Sequence, residues 1–96
     1  MGKLDYFIFN NQRYERGSVL VRRHGSAEIR DIFIAFSPTH KWYLVIRNDL
    51  PNTHSNPPRS IMTETQFLAD VIRIDSPTPT ESYKVKDLLK KLKYDE

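Results

Sequence analysis

Cysteine is missing from this chain. Its absence excludes disulfides, thiol nucleophiles and every zinc site built on thiolates, and it fits a reducing, cytoplasmic setting. No apolar run approaches the roughly 20 residues of a spanning helix, so no membrane segment is expected. The short apolar run near the start, Tyr6 to Phe9, is too brief for a leader peptide. Gly2 lacks the later Ser or Thr of a myristoylation signal, so no lipid anchor is expected. No His-x-His, His-Glu-x-x-His or acidic cluster offers metal-ligand spacing; the expectation is no metal and no cofactor.

What is present suits one small globular domain. Ninety-six residues can bury a modest core without staples. The hydrophobic fraction is 39% and the charged fraction 28%, ordinary values for such a domain. The formal charge of +3 and pI near 9.3 are compatible with nucleic-acid contact without demanding it.

The first three-quarters of the chain reads as β-structure. Tyr6 to Phe9 is followed by Asn10-Asn11, a pair that tolerates the left-handed turn conformation. Ser18 to His24 is bracketed by Gly17 and Gly25-Ser26. Ile29 to Phe36 and Lys41 to Arg47 are rich in β-branched and aromatic residues. The intervening Ser-Pro-Thr-His suits a four-residue hairpin loop, which predicts that Phe36 pairs with Lys41. One face then carries Phe33, Ala35, Trp42, Leu44 and Ile46, and the other Ile32, Ile34, Phe36, Tyr43 and Val45. Both faces are apolar and need covering. Trp42 and Leu44 are expected to face the interior.

The loop Asn48 to Ser60 carries three prolines and no hydrophobic period, as functional loops often do. Thr63 and Gln66 form a capping-box pattern that predicts a short helix, after which Asp70 to Ile74 returns to strand. Ser76 to Thr80 reads as a Pro-rich linker. Val85, Leu88, Leu89 and Leu92 make one stripe of a terminal helix over 81–94. The expected fold is mainly β, a five-stranded SH3-like barrel over 1–75 with a short helix before its last strand. An amphipathic helix then packs on that barrel, in one domain overall.

The segment Lys41 to Asp49, KWYLVIRND, resembles the R-P-V-L-V-I-S-N-D segment of the MazF/PemK toxins, matching at Leu44, Val45, Ile46, Asn48 and Asp49. Phe67 to Ile74, FLADVIRI, is similar to the ending L-A-D-Q-V-K-S-I of that family. The G-D-I strand of the family, with its F-x-P-T loop, has two counterparts, Arg16 to Val21 and Asp31 to Thr39. The resemblance touches about half of the chain. It implies an SH3-like barrel that cuts RNA, with Lys41 in the position of the phosphate-gripping arginine, Trp42 in that of the following proline, and Thr63 near that of the second functional residue. Lysine lacks the planar fork that holds two phosphate oxygens, and the glycine-rich loop that precedes the arginine is reduced to Ser37 to Lys41. Thr63 also has a simpler role as helix N-cap.

The histidines His24, His40 and His54 lie at strand ends or in loops, where exposed histidines are ordinary. His40 beside Lys41 offers an acid or base next to a cation. Strand alternation splits Arg22 from Arg23, so the pair does not form a flat clamp. Tyr14 and Tyr43, with Arg13, Arg16, Arg22, Arg47 and Arg59, are the candidate binding residues of a mixed basic and aromatic face. The expected function is therefore a small basic, non-catalytic binding module. Its partner is nucleic acid, RNA more than DNA, or another protein, and an apolar hairpin face is compatible with a homodimer. The second reading is a diverged endoribonuclease using Lys41, Thr63 and His40. A third, an inhibitor protein from a mobile element, fits the size alone.

Overall fold

The structure, a computed structural model, describes residues 2–47 and 59–92. Seven strands and two helices follow in the order β1 Tyr6–Phe9, β2 Gln12–Glu15, β3 Val19–His24, β4 Ala27–Ser37, β5 Trp42–Arg47, β6 Arg59–Thr63, α1 Glu64–Asp70, β7 Val71–Asp75 and α2 Pro79–Leu92. Five strands form an antiparallel sheet of order β6-β5-β4-β3-β7, and β1 and β2 form a separate hairpin. Among the described residues the strands do not close into a barrel. The predicted turn residue Asn48-Asp49, His54 and most of the predicted loop lie outside the described residues.

Turn chemistry sets the hairpins. Asn10 and Asn11 both hold positive φ, 53° and 64°, the type I′ geometry that joins β1 to β2. Gly25 (φ 66°) opens the two-residue turn between β3 and β4, where a side chain would be strained. Two strands escape the hydrophobic reading. In β2 only Tyr14 turns inward, and β6 begins directly after the proline-rich stretch.

The β4–β5 hairpin differs from its predicted register. Its loop runs from Pro38 to Lys41, and Ser37 pairs with Trp42, Phe36 with Tyr43 and Ala35 with Leu44. Lys41 absorbs the last reversal at φ 59°. A bulge then falls between Phe33 and Ala35, so that Phe33 pairs with Val45 and Ile32 with Ile46. One extra residue on one strand inverts the faces of everything beyond it. Phe33 therefore joins Tyr43 and Val45, and Ile32 joins Ile46.

Both faces of the sheet are covered, each by its own cluster. On one side Val19, Val21, Ile32, Ile34, Ala35 and Ile46 meet Val85 and Leu88 of α2. On the other Leu20, Phe33, Tyr43, Val45 and Met62 meet Phe7 of the β1–β2 hairpin and Phe67 of α1. Phe7 and Phe67 sit among aromatic partners, with Tyr43 stacked on Phe67 at 4.6 Å and Phe33 edge-on to Phe7 at 4.8 Å. Leu44 packs against the first cluster, half-buried, whereas Trp42 belongs to neither cluster. The predicted interior position of Trp42 is thus corrected: the tryptophan opens the strand, next to the loop, where neither cover reaches.

Helix α2 starts two residues before the predicted position. Thr78 Oγ1 accepts the Glu81 N–H at 3.2 Å, and Glu81 Oε1 accepts the Thr78 N–H at 2.9 Å. This reciprocal capping box places Pro79 at the first helical position, where its missing donor costs nothing. Part of the predicted linker is in this way helix. Thr63 caps α1 as expected, its Oγ1 accepting from Gln66 N–H at 3.1 Å.

Candidate functional site

Most arginines of the chain are held by its own carboxylates. Arg30 grips Glu81 through two nitrogens, at 2.8 and 3.0 Å, and reaches Asp75 at 3.0 Å. Arg73 grips Glu28 at 3.0 and 3.2 Å and also meets Asp75 at 3.2 Å. These pairs chain β4, β7 and the start of α2 together. The Arg30 guanidinium, aided by the Thr78 N–H, holds the Glu81 carboxyl below the usual range against the opposing effect of burial. Arg73 does the same for Glu28 at the surface.

Asp31 is buried in the sheet between two more arginines. Arg22 Nε donates to one of its oxygens, and Arg47 Nε lies 4.0 Å from the other. Leu20, Arg22 and Asp31 share a face of adjacent strands, and that face is covered by the β1–β2 hairpin and α1. Arg22 is therefore folded into an ion pair and not turned outward, as it would be on an uncovered sheet. Arg13 lies 3.9 Å over the Tyr6 ring and pairs with Glu15 at 2.6 Å on the outer face of the hairpin. Arg16 Nε donates to the Ile34 carbonyl at 2.7 Å.

The predicted face of Arg13, Tyr14, Arg16, Arg22, Tyr43, Arg47 and Arg59 does not converge. Tyr14 is half-buried and stacks on Phe7 at 5.3 Å. Tyr43 is 4% exposed, so the expectation of an accessible ring is corrected. Burial, with the Glu64 charge adding to it, pushes the Tyr43 phenol up to about 12. The register explains both: Phe36 pairs with Tyr43, which turns that ring into the aromatic cluster.

A different set of residues does meet in space, at the β4–β5 loop. Leu4 pairs with Phe36 through two hydrogen bonds of 2.8 Å, which lays Gly2 and Lys3 beside Ser37. Lys3 Nζ lies 5.9 Å from the Trp42 ring centroid. The His40 imidazole lies nearly parallel to the indole, at 22° and 6.4 Å between centroids. Gly2, Lys3, Ser37, Thr39, His40 and Trp42 line a cleft of about 280 Å³. The Glu64 N–H donates to the Lys41 carbonyl at 3.0 Å, tying the loop to the start of α1.

Strand β6, at the edge of the sheet, runs beside Trp42. Trp42 pairs with Thr63, Leu44 with Ile61 and Ile46 with Arg59, so these side chains share one face. Arg59, Ile61 and Thr63 are exposed, Ile61 at 48%. Among the described residues neither Arg59 nor Lys41 meets a carboxylate within ion-pair distance. Of the predicted site residues, Arg59, His40, Lys41 and Thr63 thus lie along this strip. Lys3, Ser37, Trp42 and Ile61 were not legible as site residues. The available signal was a tryptophan at the first position of a strand after a loop, where a core cannot fully enclose it.

A second cleft, of about 260 Å³, runs between the β1–β2 turn and the edge strand β7 and is lined by Phe9, Asn10, Tyr14 and Val71 to Ile74. The cation on its wall, Arg73, is engaged by Glu28 and Asp75. Among the described residues no group of three or more His, Asp or Glu is placed to hold a metal ion, and no helix is long and apolar enough to cross a membrane. No family model matches the chain, and neither the curated proteins nor the solved structures contain a match to it.

Proposed function

We propose that this protein is a non-catalytic module that binds single-stranded nucleic acid, RNA before DNA, along the strip from Lys3 to Arg59. The observation that carries this reading is the half-buried Trp42, with Lys3 over its ring and exposed Ile61 and Arg59 beyond it. A partly exposed aromatic ring beside cations is what sequence-tolerant binding of unpaired bases uses. The arginines held elsewhere by carboxylates offer little to a polyanion, whereas Lys41 and Arg59 on the strip meet no carboxylate among the described residues. The same reading takes the architecture as an open SH3-like small barrel. It is supported by the long strand β4, which pairs with β3 along its first part and with Leu4 near its end.

The single tryptophan makes the test direct. Titration with a single-stranded RNA oligomer should quench Trp42 fluorescence, and rising salt should reverse it. Trp42→Ala and Arg59→Gln should each weaken binding with the fold intact by circular dichroism. Absence of binding at low salt overturns the reading.

One observation favours the nuclease as a second reading. Trp42 pairs with Thr63, so Lys41 and Thr63 occupy neighbouring positions next to His40. Against it, the Thr63 hydroxyl is occupied as a helix cap, and a lysine lacks a bidentate grip. Loss of one transition-state donor typically costs about a hundred- to a thousand-fold in rate. Incubation with RNA, read on a gel, should show no cleavage. Cleavage abolished by Lys41→Ala would establish the nuclease.

A further inference from the structure

We infer that the cleft between Lys3, His40 and Trp42 takes one unstacked nucleotide, its base against the Trp42 indole beside His40 and its phosphate at the Lys3 ammonium. The inference rests on the proposed nucleic-acid binding and specifies what the strip holds at its Trp42 end.

Ring spacing is the first argument. The imidazole and indole are nearly parallel, but their centroids are 6.4 Å apart, near the far limit of the ~4.5–7 Å range of aromatic pairs. The two rings also line the same cleft, so a planar base that enters it against the indole meets a second aromatic wall of similar inclination.

Fixation of both rings is the second. Ser37 is 6% exposed. Its Oγ accepts the His40 N–H at 3.3 Å and lies 3.2 Å from His40 Nδ1. A hydroxyl carries one donor and two acceptor sites, so Ser37 Oγ can hold the backbone N–H and the ring nitrogen together. Trp42 is anchored by its pairing with both Ser37 and Thr63. The site is thus built from strand ends and a loop tied at Ser37 and Lys41, so little ordering is left to the moment of binding.

Size and charge set the ligand class. About 280 Å³ is below the ~300–1,000 Å³ of pockets that enclose drug-sized molecules and is of the scale of one base. Lys3 supplies a cation at the rim, its Nζ 5.9 Å from the indole centroid. Bases within a duplex do not present their faces, which restricts the cleft to an unpaired nucleotide.

The test compares an oligouridylate with a base-free ribose-phosphate oligomer of equal length and charge, by equilibrium binding and Trp42 fluorescence. Uridylate should bind about ten- to a hundred-fold tighter and quench the fluorescence, as stacking of a base predicts. Trp42→Ala should bring uridylate down to the base-free level without changing base-free binding. Trp42→Phe should keep most of the preference, and His40→Ala should lose part of it. Equal binding of both polymers without quenching overturns the nucleotide cleft while leaving charge-driven binding in place. Binding of neither polymer overturns both readings.

Discussion

Arg16 reaches through Nε to the carbonyl of Ile34, the residue that a bulge adds to β4, at 2.7 Å. A bulged residue drops out of the ladder, and its polar groups need another partner. Gly17, the next residue, donates its own N–H to the Phe33 carbonyl at 2.8 Å. The segment between β2 and β3 thus fastens the bulge, and the bulge decides which residues of β4 face which cluster.

Replacing Arg16 with Leu keeps the apolar stem and removes the donor. The Ile34 carbonyl then loses a charged partner in a partly buried position, and the expected cost is about 1.5–3 kcal/mol. Urea unfolding of the variant should show this as a lower midpoint with an unchanged slope. A cost below about 0.5 kcal/mol would mean that water replaces the guanidinium at the bulge without penalty.

The same bulge marks where the sequence stopped being legible. The strands built on β-branched runs, the Asn10-Asn11 turn, the Thr63 cap and the α2 stripe follow from local patterns, because each is fixed by residues within a few positions of one another. The faces of Phe33 and Ile32 do not. Runs that are apolar on both faces carry no alternation, so a one-residue shift in register or a bulge leaves no trace in them. The site was obscured for a related reason. Arginines read as ligands, Arg22 and Arg47 among them, meet Asp31 on a neighbouring strand only once the sheet has formed, and Trp42 reads as core until the loop is seen to end one residue later.

Glu81 joins two devices, the capping box of α2 and the bidentate grip of Arg30. Glu81→Gln should cost about 3 kcal/mol, the lower end of what breaking a buried pair costs, since Arg30 is partly exposed. The pH dependence has a definite sign. The folded-state pKa of Glu81 is depressed, so its contribution is present above the unfolded value of about 4.3 and is lost as pH falls through the folded value. Thermal unfolding between neutral pH and pH about 3 should show this loss, and Glu81→Gln should flatten it. An equally steep acid limb in the variant would assign the acid sensitivity to other carboxylates.

Tyr43 gives the opposite limb. Its phenol is raised to about 12 in the fold, whereas an unfolded tyrosine ionises near 10. Above pH about 10 the unfolded chain gains ionisation that the native ring resists, so stability should decline from there and continue to decline towards 12. Tyr43→Phe should remove that part of the decline at little cost. Tyr43→Ala should cost about 3–5 kcal/mol, as truncation of a buried aromatic does. An alkaline decline unchanged in Tyr43→Phe would show that the phenol ionises in the fold as freely as in the open chain.

Charge on the strip should be readable as a salt slope. With Lys3, Lys41 and Arg59 as the phosphate-facing cations, single-stranded RNA binding should fall with log salt at a slope of about −2, from roughly 0.7 counterions released per contact. Arg59→Gln should reduce the slope by about 0.7. Arg13→Gln serves as the contrast, because Arg13 is exposed yet paired with Glu15 on the outer face of the β1–β2 hairpin. It should leave slope and affinity unchanged. Trp42→Ala removes a ring outside both clusters and should cost about 1 kcal/mol of stability. It should weaken RNA binding while preserving the slope, since stacking contributes no ions. A slope that drops equally for Arg13→Gln and Arg59→Gln would describe diffuse attraction to the whole basic surface and would remove the strip as a site.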